Sequence, residues 1–196
     1  MSRLCLVDFD DTLILTDSLR TVMDSEHWLY SPSLIAAGVK LFFCRAIRRG
    51  EAKARDRFKA GMLRRFKELP EEKVSDYVAQ FKGLINTGLT ERIAGEHYDR
   101  IIVISASEEN LVRRVLDGVL DKFEVIANTA DPGDDFRTCY GEEKVRRLAG
   151  YLPDYADYDI TVYTDSYSDR PLMQIANTSF LVKGRTVAKA EFWEVK

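Results

Sequence analysis

The sequence predicts an α/β architecture: a parallel sheet core with an all-α segment inserted after the first strand. Three observations carry this. Short apolar runs at residues 4–7, 101–104, 123–127, 160–163 and 179–182 have the makeup of buried parallel strands. Helix-like stretches separate several of the later runs, as in repeated βα units. Roughly ninety residues separate the first two runs and are largely helical in character. A structureless loop of that length does not belong in a compact domain.

The elements follow in order. Residues 4–7, Leu-Cys-Leu-Val, form the first strand. Residues 52–67 read as a helix with Phe58, Met62, Leu63 and Phe66 toward its buried side. Pro70-Glu71-Glu72 starts another, with proline in the first turn and acids at the positive end of the helix dipole. Val74, Tyr77, Val78, Phe81, Leu84 and Ile85 then recur at helical spacing. The expected division is an α/β core of residues 1–14 and 98–196, with residues 15–97 as a helical insertion.

The chain has 196 residues, 45% of them hydrophobic, enough for one α/β domain with a large insertion. A formal charge of −3 gives no reason to expect nucleic-acid binding. The charge is uneven: residues 40–67 hold eleven Lys or Arg against Glu51 and Asp56. Cys5, Cys44 and Cys139 show no metal or disulfide spacing, so reduced thiols are expected, with Cys5 in the core. No signal-peptide pattern opens the chain, and a cytoplasmic location is the expectation. The longest apolar stretch, residues 34–44, is broken by Lys40 and is too short to cross a bilayer.

Carboxylates crowd the ends of the predicted strands. The first runs into Asp8-Phe9-Asp10-Asp11-Thr12-Leu13. Asp8 and Asp10 are two apart and point the same way in an extended chain. Carboxylates are costly to bury unless a cation or donors meet them. The carboxyl ends of central strands are where α/β proteins place ligands. The second strand ends in Ser105-Ala106-Ser107 before Glu108 opens a helix, which supplies a hydroxyl and backbone N–H groups to an anion. Gly141-Glu142-Glu143-Lys144 starts a helix carrying one lysine, and the fourth strand ends in Asp165-Ser166-Tyr167-Ser168-Asp169. Each piece has a simpler reading: Ser105, Ser107 or Asp169 as a helix N-cap, Lys144 as a solvated lysine, and Asp11-Thr12 as a turn. Their ordered combination is far more specific.

That ordered set resembles the haloacid dehalogenase (HAD) superfamily, in its phosphoserine-phosphatase-like branch. The resemblance implies a Rossmann-like core and a helical cap formed by the insertion. It implies that Asp8 is the nucleophile, forming an aspartyl-phosphate. Asp10 would protonate the leaving oxygen and then activate water. Its presence favours phosphoryl transfer over dehalogenation. Ser105 and Ala106 would meet the substrate phosphate, and Lys144 would neutralise charge on it and on the nucleophile. Asp8, Asp10, Asp165 and Asp169 would hold Mg²⁺, Asp10 through its carbonyl. The need for a cation also follows from charge alone, because a carboxylate attacking a phosphate beside another carboxylate faces strong repulsion. Thr164 stands where the family usually has glycine. Ala106-Ser107-Glu108 replaces a Gly pair, and the stretch after the first motif, Ile14-Leu15-Thr16-Asp17-Ser18, lacks the family's glutamate. Both differences argue against phosphoserine itself.

The expected function is Mg²⁺-dependent hydrolysis of a phosphomonoester on a small metabolite or a lipid headgroup. Alternatives are transfer to an alcohol from the same intermediate, or a non-catalytic receiver-type module. Arg45, Arg48, Arg49, Lys53, Arg55, Arg57 and Lys59 are candidates for attracting a phosphorylated ligand, against the simpler reading of a solvated face. A basic amphipathic helix with Phe42, Phe43, Phe58 and Phe66 on its apolar side would instead suit an anionic membrane surface. Trp28 and Tyr30 are candidates for lining the pocket or the cap core, and His27 reads as structural.

Overall fold

A computed structural model describes residues 2–47 and 49–190. Arg48, one of the basic candidates, lies outside them. Six strands form one sheet in the order β3-β2-β1-β4-β5-β6. They are β1 (Arg3–Val7), β2 (Arg100–Glu108), β3 (Phe123–Asn128), β4 (Asp159–Thr164), β5 (Thr178–Lys183) and β6 (Thr186–Lys189). β1 to β5 are mutually parallel, and β6 adds antiparallel to β5. The five apolar runs of the sequence are the five parallel strands.

Alternation along the strands separates two cores. Cys5, Val7, Val103 and Tyr163 face one side, while Leu4, Leu6, Ile102, Ile104, Ile160 and Val162 face the other. The second side is covered by α7 (Glu142–Tyr151) and α8 (Arg170–Ile175), through Leu148, Leu172 and Met173. The first side takes α6 (Glu109–Leu116) and helices of the insertion. Strand order reverses between β1 and β4, so the carboxyl ends of these two strands flank the crevice where such sheets bind ligands.

Between β1 and β2 the chain is helical: α1 (Ser18–Ser25), α2 (Pro32–Ala46), α3 (Glu51–Lys67), α4 (Glu71–Lys82) and α5 (Thr87–Gly95). The chain leaves and returns side by side. Ile14 bridges Ile85, Leu15 N donates to Leu84 O at 2.9 Å, and Asn86 N donates to Leu13 O at 2.9 Å. Packing then divides the insertion. α4 lies beside α6, with Arg114 bonded to Glu71 and Ser75 at 2.8 and 2.9 Å. α5 lies on the sheet, with Leu89 and Ile93 buried in its first core and Arg92 over Phe180. Both helices therefore belong to the layer covering the sheet. α2 and α3 form a separate hairpin whose close approach uses two glycines, Gly38 against Phe58 and Gly61 against Leu34.

Of the side chains assigned to the buried side of α3, Met62, Leu63 and Phe66 are buried and Phe58 is half-buried. Trp28 packs in the core, whereas Tyr30 is 80% exposed. Cys5 is fully buried, as expected, and no cysteine among the described residues is paired.

Candidate active site

Asp8 follows β1 directly. Its N–H donates to Tyr163 O at 2.9 Å, fixing it beside β4, and its Oδ1 accepts from Phe9 N at 2.8 Å. The next residues coil tightly. Asp11 takes the left-handed conformation at φ 53°, which aspartate tolerates better than most residues. This turns the chain back so that the N-terminus of α1 faces the strand ends.

Lys144 is 2% exposed, so it is not a solvated lysine. Gly141, at φ 57° and ψ −126°, makes the turn that starts α7 and aims Lys144 inward. The ammonium lies 3.1 Å from Asp8 Oδ2 and donates to Asp169 Oδ2 at 2.7 Å. Burial opposes the lysine's charge, but Asp8 and Asp169 outweigh it and hold its pKa above the ordinary value.

Asp169 occupies the N-cap position of α8 but makes no capping hydrogen bond. Its carboxylate instead takes the lysine and the Thr164 hydroxyl, which donates to Oδ2 at 2.8 Å. The residue standing where glycine is usual thus orients an acid of the site. Asp169 Oδ1 is buried without a partner. Burial raises the Asp8 pKa well above the usual carboxylate range, with Lys144 opposing and Asp169 and Asp10 adding to it. Asp165 is half-buried and also shifted upward, by burial and then by Asp11, with Lys183 and Lys144 opposing. Its carbonyl accepts from Lys183 Nζ at the end of β5.

Asp10 is held on both oxygens. Oδ1 accepts from Ser18 N at 2.8 Å, and Oδ2 accepts from the Ser107 hydroxyl. Ser107 uses its one hydroxyl hydrogen there, so Ser18 Oγ, 2.7 Å away, donates to Ser107. Burial and the nearby Asp17 push the Asp10 pKa up to about 6, with Lys59 opposing from α3.

The serines of β2 are not helix caps, because Glu108 caps α6 by accepting from Asn110 N and Leu111 N at 3.1 and 2.7 Å. Ser105 is fully buried and its Oγ accepts from Ser107 N at 3.0 Å, which tightens the strand end into a turn. Ala106 is at the half-buried crest of that turn, with its carbonyl held by Asn128 Nδ2 at 2.6 Å.

Lys144 thus joins Asp8 and Asp169 directly. Asp10 forms a second network with Ser18 and Ser107, and Asp165 feels the charge of both Asp169 and Lys144. Ser18, Ser107, Thr164 and Asn128 are supporting residues that sequence reasoning did not place. Ser18 and Thr164 carried one usable signal, a hydroxyl within ten residues of a motif carboxylate, whereas Ser107 lies 97 residues from Asp10. Among the described residues, no three His, Cys, Asp or Glu side chains form a ready-made metal cage.

The α2–α3 hairpin meets the rest of the chain through α3. Asp56 Oδ1 accepts from Thr138 N at 2.9 Å, Arg55 stacks over Tyr140, and Lys67 pairs with Asp131 at 2.9 Å. A groove between α3 and residues 133–146 runs past Lys53, Arg57, Arg137 and Arg146, but Asp8, Asp10, Ser105 and Asp165 are not in its lining.

Known proteins supply an independent comparison. The chain matches the family model for haloacid dehalogenase-like hydrolases over residues 5–174. No curated protein matches it. Its fold is similar to that of a protein of unknown function from Bordetella pertussis Tohama I, with a TM-score of 0.63 at 17% identity over 91% of this chain and 89% of that one. It is also similar to phosphoserine phosphatase from T. onnurineus in complex with NDSB-201, with a TM-score of 0.55 at 16% identity over 91% and 82% of the two chains. A third similar structure is a phospho-aspartyl intermediate analogue of phosphoserine phosphatase, with a TM-score of 0.53 at 18% identity over 91% and 85%. The match covers most of the sequence and every carboxylate of the site, so the chain is an enzyme of the haloacid dehalogenase-like hydrolase family.

Proposed function

We propose that this hydrolase is a Mg²⁺-dependent phosphatase, cleaving a phosphomonoester of a small metabolite or lipid headgroup through an aspartyl-phosphate. The observation that carries the reading is the buried Lys144 ammonium held between Asp8 and Asp169. A lysine so placed serves a site that must collect negative charge.

The steps follow from the side chains. Asp8 attacks phosphorus and forms a P–O bond while the bond to the leaving oxygen breaks. Asp10 gives its proton to that oxygen. Its upward shift to about 6 keeps a protonated fraction near neutrality. Asp10 then takes a proton from water, whose oxygen attacks phosphorus and releases Asp8 and inorganic phosphate. Ser18 and Ser107 hold Asp10 on the leaving-group side throughout. Ser105 and the Ala106 turn are assigned to the phosphoryl oxygens.

The donor set fits Mg²⁺. It is all oxygen, and the partnerless Asp169 Oδ1 leaves one buried acceptor for a metal-bound water. Mg²⁺ takes one or two carboxylates and keeps waters and phosphate oxygens in its shell, which suits these acids. Asp8, Asp165 and the Asp10 carbonyl would hold the ion, with Asp169 behind them. Bound there, it would screen the attacking carboxylate from the phosphate. We assign the cap to residues 18–67, with Lys59 as the cap cation that reaches the site.

The test is phosphate release from a panel of phosphomonoesters, with Mg²⁺ and with chelator, and with and without an acceptor alcohol. Mg²⁺-dependent release that Asp8→Asn abolishes is expected. Turnover by Asp8→Asn equal to the parent would overturn the reading, and a phosphorylated alcohol as the main product would replace hydrolysis by transfer.

A further inference from the structure

α2 presents an apolar face that none of the described residues covers. Ile35 is 46% exposed, Val39 49%, Phe42 69% and Phe43 59%, followed by Ile47 at 63%. At 3.6 residues per turn, Ile35, Val39, Phe42 and Phe43 fall within an arc of roughly 100°. Leu34 and Gly38, which pack on α3, lie on the neighbouring flank, about 80° and 40° beyond Phe42. Phe58 and Phe66 are not on this face: Phe66 is buried and Phe58 lies against Gly38.

Basic residues flank the face. Lys40 and Arg45 are exposed, one on either side of the apolar arc, each about 60° beyond its edge. Arg49 is exposed just past the helix end. Residues 27–50 contain no acidic residue.

We propose that this face docks on an anionic phospholipid bilayer. α2 would lie in the interface plane, with Phe42 and Phe43 in the acyl boundary and Lys40, Arg45 and Arg49 at the headgroups. The charge argues for a bilayer over a second copy of the chain. Arg45 already pairs with Glu51 at 3.0 Å, so Lys40 and Arg49 carry the charge of the rim. Two such faces back to back would oppose those cations to their own copies, whereas an anionic surface satisfies both the rings and the cations. The helix lies on the membrane and does not span it. Its 15 residues extend about 22 Å, short of a hydrocarbon core of about 30 Å. Among the described residues, no helix is long and apolar enough to cross a membrane.

The test is co-sedimentation of the full chain with vesicles of phosphatidylcholine alone and of phosphatidylcholine mixed with phosphatidylglycerol. Binding to the mixed vesicles that weakens in high salt is expected. Phe42→Ser/Phe43→Ser should lower it about ten-fold per ring removed. Lys40→Glu/Arg49→Glu, which leaves the apolar face and the Arg45–Glu51 pair alone, should lower it at least about five-fold per cation. Circular dichroism checks that both variants fold. No binding to mixed vesicles, or equal binding by both variants, overturns the proposal. So does a dimer in vesicle-free solution that Phe42→Ser/Phe43→Ser converts to a monomer, because a second copy would then be the occupant. Sedimentation needs no turnover, so this result stands apart from the phosphatase reading.

Discussion

Replacing Lys144 with methionine keeps the length of the side chain and deletes its charge. The buried Asp169 and the partly buried Asp8 lose their shared cation, at 2.7 Å and 3.1 Å. Breaking a buried pair in this way costs about 3–5 kcal/mol, because the partner charge is stranded. For a chain of this size, that lowers the melting temperature by roughly 6–20 °C. The double variant Lys144→Met/Asp169→Asn removes one stranded charge, and the asparagine oxygen still accepts from Thr164. It should recover a large part of the loss, leaving a coupling of about 1–3 kcal/mol in a double-mutant cycle. Denaturant melts of the four proteins without Mg²⁺ supply the numbers. Additive penalties would refute the reasoning, since they would mean that the ammonium and Asp169 do not compensate each other. The parent supplies a sign check. Lys144 has a folded pKa above its unfolded value, so its contribution is complete below about pH 10 and is lost as pH rises toward the folded pKa. The methionine variant should lack that alkaline component.

Thr164→Val should destabilise by about 1.5–3 kcal/mol, because it removes a buried hydrogen bond to a carboxylate, and melting curves will show it. Ser107→Ala frees one oxygen of Asp10 and should lower kcat about ten-fold or more with little change in KM, read from steady-state phosphate release. Gly141→Ala places a side chain where φ is 57° and ψ is −126°, so a loss of about 1–3 kcal/mol is expected, together with weaker turnover as Lys144 shifts. Tyr77, pushed up to about 12 by burial and by its bond to Glu26, favours folding less as pH rises from about 10. Tyr77→Phe should therefore flatten the fall in stability across that window in pH-dependent melts.

The parallel strands were legible because burial on both faces leaves uninterrupted apolar runs, as at residues 101–104. β6 was not, since Thr186–Lys189 is a short, mostly exposed edge pairing only with β5. The motif carboxylates and Lys144 were legible from their order along the chain. Their helpers were not. Thr164 and Ser107 read as ordinary hydroxyls until packing sets an acid opposite each. The helical insertion was evident, but its division was not. Val74, Phe81 and Leu89 have the same periodicity whether they cover a sheet or fill a cap, and only the return beside Ile14 separates the two. Phe42 and Phe66 look alike in sequence, yet one is exposed and the other is core, because a helix apolar on several sides does not declare which side it buries.

The β5–β6 hairpin lies beyond the family match, which ends at residue 174. Even so, Lys183 grips the Asp165 carbonyl, and the Gly184 carbonyl accepts from Asn86, whose amide also reaches the Thr12 carbonyl. The last strands therefore clasp both the loop after β1 and the loop after β4. A nascent chain lacking them holds Asp8, Asp10, Lys144 and Asp165 with no buckle to close their loops, so the site is complete only once both strands have been made.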